Sequence, residues 1–257
     1  MVRGLYTAMT GMVNQMNRLD VITNNLANSD TTAYKKEGAS SQAFDQLYAV
    51  KINDSSVHYI DQRIGKVSLG VKIGETYTDW EDGSFTETGN TYDLALSGKG
   101  FFAISFASAN GTESVRYTRD GSFTTNADGI LMTKDGDYVL DSDGGLITIP
   151  TTAAEVAIDD HGVITADGEE VAQLQIVDFE NYDYLKKYGE NLYIAVDGAT
   201  ETTPTARVYQ GYLEASNVNA VSEMVDMIST ARDYESNQKV IQSIDDTLET
   251  AVNLGRI

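Results

Sequence analysis

Apolar positions recur along the chain with two different periods. Near the start, Leu5, Met9, Met12, Met16, Leu19 and Leu26 follow alternating steps of four and three, with Thr23 in the one missing place. That spacing predicts a helix carrying a narrow apolar seam, and a seven-residue repeat of this kind favours a helical partner. At the other end Ala220, Met227, Tyr234, Ile241 and Leu248 recur every seven residues, with Met224, Ala231, Gln238, Asp245 and Val252 as the interleaved set. Val221, Val225, Ile228 and Ile244 widen this second seam, so the later helix should touch more than one neighbour. A helix over Val2–Asn28 would be about 40 Å long and one over Asn217–Leu254 about 57 Å, both longer than a small domain is wide. Asn217 or Ser216 is placed to cap the later helix and Gly255 to end it.

Between the ends the period falls to two and turns punctuate the pattern. Asp-Gly pairs begin at residues 82, 120, 128, 135, 143, 167 and 197, and those from Asp120 to Gly144 are closely spaced. This predicts a meander of short antiparallel strands, for which Tyr138, Val139, Leu140 and then Leu146, Ile147, Thr148, Ile149 before Pro150 are two examples. Both prolines, Pro150 and Pro204, lie outside the helical seams. Residues 38 to 66 lack strong periodicity and read as an extended connector. The expected fold is therefore α+β: long N- and C-terminal α-helices pairing as a coiled-coil-like domain, with a mainly antiparallel β domain inserted between them. The expected boundaries are 1–37 for the N-terminal helix, 38–83 for the connector, 84–210 for the β-rich body and 211–257 for the C-terminal helix.

Charge sharpens that division. The 257 residues carry 39 acidic against 18 basic side chains, a net −21. Residues 1–36 hold a net +2, residues 211–257 a net −5 and the middle the remaining −18. So acidic a chain would be repelled by nucleic acid unless its cations were clustered, and no cluster stands out. With no cysteine there is no disulfide, thiolate ligand or thiol nucleophile. Neither a cleaved secretory signal nor a membrane-spanning run is expected from the apolar pattern.

Candidate chemistry is sparse. Ser97 to Ala103 reads SGKGFFA, and Gly98, Gly100 and Ala103 match a loose dinucleotide fingerprint. The apolar run continues through Phe101, Phe102, Ile104 and Phe106 as strand, where the fingerprint requires a helix N-terminus. The acidic stretch Asp135–Gly145 places Thr152 where a calcium loop starting at Asp141 would need a bidentate glutamate, so solvated turn carboxylates are expected. Asp159 and Asp160 before His161 also read as a turn. His58 and His161 are the only histidines, and neither accompanies a serine elbow. No catalytic residue, cofactor or metal is expected. Packing within one domain is the ordinary explanation of a helical apolar stripe. The lengths of the two helices, and polar Gln238 and Asp245 inside the seam, favour assembly of many copies instead.

Particular motifs carry a resemblance. GLYTAMTGM at Gly4–Met12 and RLDVITNNLANSDTTAYKKE at Arg18–Glu37 resemble the amino-terminal signature of flagellar basal-body rod and hook proteins, with NNLAN (Asn24–Asn28) at its centre. YQGYLEASNVNAVSEMVDMISTARDYESNQKVIQSIDDTL at Tyr209–Leu248 is similar to the matching carboxy-terminal signature. LALSGKGFF, RYTRDGSF and GENLY resemble the family's central domain. The resemblance implies a non-enzymatic structural subunit, exported unfolded through the flagellar type III apparatus without a cleaved signal. It further implies polymerisation with copies of itself and other axial proteins of rod and hook into a torque-transmitting tube in the basal body. Terminal helices would form the inner tube and the β domain would decorate it. Asn24, Asn25 and Asn28 would cap the first helix and turn the chain into the connector. The connector from Phe44 to Gly83 is shorter than in typical distal rod proteins, which favours a proximal-rod component; SLGVKIG at Ser68–Gly74 resembles the distal rod, which stays the alternative.

The expected assembly interface comprises Leu5, Met9, Met12, Met16, Leu19, Asn24, Asn25, Leu26 and Asn28 with Met224, Met227, Ile228, Ala231, Tyr234, Gln238, Ile241, Leu248 and Val252. A rival reading is a secreted adhesin or carbohydrate-binding β domain using an exposed face around the Tyr117 and Tyr138 strands. A second rival is an enzyme using the Asp159 and Asp160 carboxylates.

Overall fold

A computed structural model describes residues 2–50, 63–107, 113–189 and 191–255. His58 lies outside them. Two compact units share the chain discontinuously. One comprises residues 1–26, 37–78 and 220–257, and the other residues 27–36 and 79–219.

The first unit holds both long helices, α1 (Val2–Ala27) and α2 (Ala220–Leu254). They run antiparallel in a fixed register. Ile244 Cδ1 lies 3.7 Å from where a Cβ on Gly4 would sit, and Asn237 Nδ2 3.2 Å from one on Gly11. Gln15 Nε2 is 3.4 Å from Asp233 Oδ2, and Asn25 Nδ2 is 3.4 Å from Glu223 Oε2. Seven, four and ten residues forward along α1 are matched by seven, four and ten back along α2, so the helices do not slip against each other.

The covered face of α2 repeats by threes and fours through Ala220, Glu223, Met227, Thr230, Tyr234, Asn237, Ile241 and Ile244. The first expected seam set is present down to Ile241. The interleaved set is Glu223, Thr230, Asn237 and Ile244, one residue earlier than expected; Gly4 and Gly11 leave room on α1 for Ile244 and Asn237, and Asn25 offers its amide to Glu223. Met224, Gln238, Asp245 and Val252 are exposed. The expected caps at Ser216 and Asn217 are absent, since α2 begins at Ala220 and Asn217 is engaged elsewhere, as described below.

Residues expected as an extended connector form a two-stranded ribbon. Glu37–Ala43 pairs antiparallel with Val71–Thr78, and Leu47–Val50 with Arg63–Val67. The β propensity was hidden by small and polar residues in EGASSQA, whose pairing is made by backbone rather than by an apolar stripe.

The second unit is the β body. Its main sheet runs in the order Leu185–Tyr188, Leu192–Ala195, Glu113–Thr118, Phe101–Ala107, Tyr138–Val139, Leu131–Thr133 and Phe123–Thr125, and Ile176–Phe179 also pairs with Phe101–Ala107. Within Phe101–Ala107 the unbroken apolar run Phe101–Ile104 is buried on both faces. Phe102 and Ile104 enter one apolar cluster with Leu94, Leu131, Ile147 and Ile164. Phe101 and Ala103 enter another with Tyr117, Phe179 and Tyr193. Gly98 and Gly100 take positive φ and lead into this strand, so the SGKGFFA segment is a strand connection. The second half of the Tyr138–Ile149 pair is only bridged, at Leu140 with Leu146 and at Ile130 with Thr148.

Candidate assembly site

Residues from both terminal signatures meet inside the β unit. The chain after α1 carries Ala33, Tyr34 and Lys35, all about 1% exposed. Lys35 Nζ lies 2.6 Å from Glu214 Oε1 and donates to the Glu81 carbonyl at 2.7 Å. Arg119 Nη1 lies 3.0 Å from Asp82 Oδ1 and 3.6 Å from Glu214 Oε2, while its Nη2 donates to the Gly98 carbonyl at 2.8 Å. Gly83 N–H donates to Glu214 Oε1 at 2.9 Å, and a Cβ there would collide with the Ala215 carbonyl oxygen. Two cations and two carboxylates thus balance. Lys35, Arg119 and Glu214 are buried, and burial outweighs the Glu214 carboxylate in lowering the Lys35 pKa. Removing one partner would strand a buried charge, at about 3–5 kcal/mol.

Backbone bonds close the same clasp. Ala33 N–H, held in the left-handed region at φ 55°, donates to the Glu214 carbonyl at 2.8 Å. Asn217 accepts from Lys36 N–H at 2.7 Å and donates to the Asp79 carbonyl at 3.0 Å, which is why it does not cap α2. Trp80 packs on Tyr193 and Tyr182 with ring centroids 4.9 and 5.0 Å away. Sequence reasoning missed this clasp. Its signal was the charged residues embedded in TTAYKKE and YLEAS, but charges far apart in a chain announce no pairing.

The expected asparagines divide. Asn25 Oδ1 accepts from Glu37 N–H and its Nδ2 donates to the Glu37 carbonyl, both at 2.9 Å, so this side chain fastens the start of the ribbon instead of capping α1. Asn28 receives the Thr31 hydroxyl at 3.1 Å in the turn beyond the helix, and Asn24 is exposed.

The two helices carry the remaining expected residues, and their buried positions mix apolar Ala8 and Ile22 with polar groups. Polar Asn14, Asn25, Glu223 and Thr230 are buried. Large apolar side chains point outward: Tyr6, Met9, Val13 and Met16 form a stripe on α1, 44–58% exposed, and Val221, Met224, Val225 and Ile228 one on α2, 48–72% exposed. Leu5, Met12, Leu19, Leu26, Met227, Ala231, Tyr234 and Ile241 are half-buried, whereas Leu248 and Val252 are 40% and 63% exposed. Exposed apolar rows of this kind mark interaction surfaces.

The rival chemistry dissolves into turns and core. Tyr117, named in the rival sugar-binding reading, is buried with its hydroxyl 3.0 Å from Glu201 Oε1 and presents no open ring face, while Tyr138 is half-buried. Asp159 Oδ1 accepts from Asp160 N–H, and Asp141 Oδ1 from Ser142 and Gln173 N–H. Among the described residues no three His, Asp or Glu side chains gather closely enough to hold a metal.

Comparison with known proteins decides between the readings. Residues 5–35 match the family described as flagella basal body rod protein, residues 95–166 the flagellar hook protein FlgE/F/G D1 domain, and residues 209–254 the flagellar basal body rod FlgEFG protein C-terminal. The chain is 37% identical to the basal-body rod protein FlgG of Agrobacterium fabrum, over 95% of this chain and 96% of that one. It is 35% identical to FlgF of Caulobacter vibrioides and to FlgG of Bacillus subtilis, each over the whole of both chains. The chain belongs to the flagellar basal-body rod protein family. Within this rod protein the two terminal matches cover α1 with the clasp residues that follow it, and Glu214 with α2. The signatures are therefore two halves of shared structures: the helix pair in one unit and the ion clasp in the other.

Proposed function

We propose that this rod protein is a structural subunit that polymerises through the outward apolar faces of α1 and α2, which pack as a coiled-coil-like layer with the same helices of other copies. The subunit joins other axial proteins of rod and hook in the basal body and transmits torque from motor to hook. It reaches that place through the flagellar type III apparatus, without a cleaved signal, and no catalytic step is part of its role. The observation that carries this reading is the exposure of large apolar side chains in rows on both helices, Met9 and Met16 on α1 and Met224 and Ile228 on α2.

A proximal position is preferred to the distal rod. The short Phe44–Gly83 connector supports it, as does length: the alignment to FlgF of Caulobacter vibrioides spans 259 residues, against 274 for FlgG of Bacillus subtilis. Basal bodies imaged from a strain lacking the protein test position, with an early-ending rod expected and an intact distal rod without a proximal one excluded. Deleting residues 220–257 tests the assembly reading. The shortened chain should keep the β unit's fold and Trp80 fluorescence and should not sediment as polymer; polymerisation without α2 would refute the reading.

A further inference from the structure

The β unit is closed by its own last segment. Arg207–Gln210 pairs antiparallel with Leu94–Ser97, and Tyr212–Glu214 with Phe85–Glu87, each as a sheet of two strands. Gly211, at φ 80°, turns the chain between them, its N–H donating to the Asp93 carbonyl at 2.8 Å and its carbonyl accepting from Thr88 N–H at 2.8 Å. The segment also reaches other stretches of chain. Val208 N–H donates to the Asp160 carbonyl at 3.0 Å, and the Gln210 side chain accepts from Ile158 N–H and donates to the Thr91 and Val156 carbonyls. Ala215 N–H donates to the Ser84 carbonyl at 2.8 Å, and Asn217 holds Lys36 and Asp79. Residues 207–217 are thus a strap across stretches of chain far apart in sequence, with Val208 buried in the larger apolar cluster.

Charge makes the strap more than a cover. Of the two carboxylates in the clasp, it supplies the buried one, Glu214. Without Glu214, the buried cations Lys35 and Arg119 would share only Asp82, whose side chain is 41% exposed. Desolvating two cations against one surface carboxylate is unfavourable. Leu94–Ser97 and Phe85–Glu87 would at the same time lose the strands they pair with. Both losses oppose closure of a β unit that lacks its strap.

We infer that the strap is a completion switch: the β unit stays open until residues 207–217 are available, and closes when Glu214 reaches Lys35 and Arg119. Domains fold as units during synthesis. The strands of the main apolar interior, from Leu94 to Phe179, all precede the strap in sequence, yet they wait for the segment just before α2. The use of this delay rests on the proposed delivery of an unfolded chain to the export apparatus, since the β unit is still open when nearly all of the chain has been made.

The test uses the full-length monomer in solution, so its failure leaves the assembly and export readings standing. Native-state hydrogen exchange across a urea series compares the amides of Gly83 and Ala215, bonded across the strap, with those of Ala103 and Leu131 in the core. All four should open with one free energy and fall together as urea rises. Strap amides that exchange at least about tenfold faster than the core amides, after correction for intrinsic rates, would show a β unit that stands with its strap open, and would overturn the inference. Refolding rates give a second reading. Val208→Ala and Glu214→Gln should each slow refolding by about tenfold with little change in unfolding. Val208→Ala removes only two methyl groups, so it serves even where Glu214→Gln does not fold. Refolding of Val208→Ala at the wild-type rate, with unfolding accelerated instead, would mean that the strap joins a body already formed, and the inference would fall.

Discussion

The two units of this chain solve opposite problems with the same residue types. In the β unit, Phe102, Ile104, Leu131 and Ile164 fill an apolar interior, and the charges that are buried balance one another in the clasp. In the helical unit polar Asn14, Asn25 and Thr230 are inside while Met9, Val225 and Ile228 face outward. Charge follows the same division. The β unit carries 26 acidic against 9 basic residues, net −17, and the helical unit 13 against 9, net −4. On the proposed assembly, an acidic body would repel its copies while the less charged helical unit would leave association to its apolar rows.

The sharpest way to break that contrast is at the clasp. Glu214→Ala should destabilise the β unit by about 3–5 kcal/mol, because Lys35 and Arg119 would keep their charges in a buried site. Urea unfolding followed by Trp80 fluorescence measures it, and a loss under about 1 kcal/mol would show that the quartet is not what fixes the termini. The paired change Lys35→Met with Glu214→Leu should recover most of the loss, since an apolar pair of similar volume replaces a desolvated ionic one.

Next in size is the core. Ile164→Ala should cost about 2–5 kcal/mol through lost burial and the cavity left behind. Asn25→Ala, by contrast, removes two side-chain bonds to Glu37 in the helical unit and should cost about 1–3 kcal/mol while leaving Trp80 emission unchanged. If both variants shifted the two units equally, the division into independent regions would fail.

The smallest stability effect is a pH signature of the β unit. Burial, together with the bond to Glu201, pushes the Tyr117 pKa up to about 12. A group whose folded pKa is raised stabilises fully below its unfolded pKa near 10 and loses that contribution as pH climbs through 12. Tyr117→Phe should therefore cost about 1 kcal/mol at pH 8 and almost nothing by pH 12. A difference that stays constant across that range would show that Tyr117 does not titrate as its surroundings dictate.

The helices were legible from sequence because α1 and α2 are long and their periods of three and four are regular. Ala220, Met227, Tyr234 and Ile241 could be placed on the covered face by spacing alone. Glu223, Thr230 and Asn237 could not, because hydrophobic patterning assigns polar residues to the outside and here they fit against Gly11 and Asn25. The ribbon at Glu37–Ala43 was hidden for a related reason, its pairing being carried by backbone and by Asn25. The clasp was invisible: Lys35 and Glu214 are 179 residues apart, and only folding shows that each is the other's counterion. The family signatures marked both segments without revealing that they touch.

The central claim is that the outward apolar stripes serve assembly and contribute almost nothing to the fold of a single chain. The variant Met9→Asp with Ile228→Asp tests it most directly, by thermal unfolding of the monomer alongside sedimentation of the polymer. Both side chains are about half exposed, so the unfolding free energy should move by no more than about 0.5 kcal/mol per site while pelletable polymer disappears. Polymer that forms at wild-type concentration, or a monomer that unfolds several kcal/mol more easily, would contradict the account.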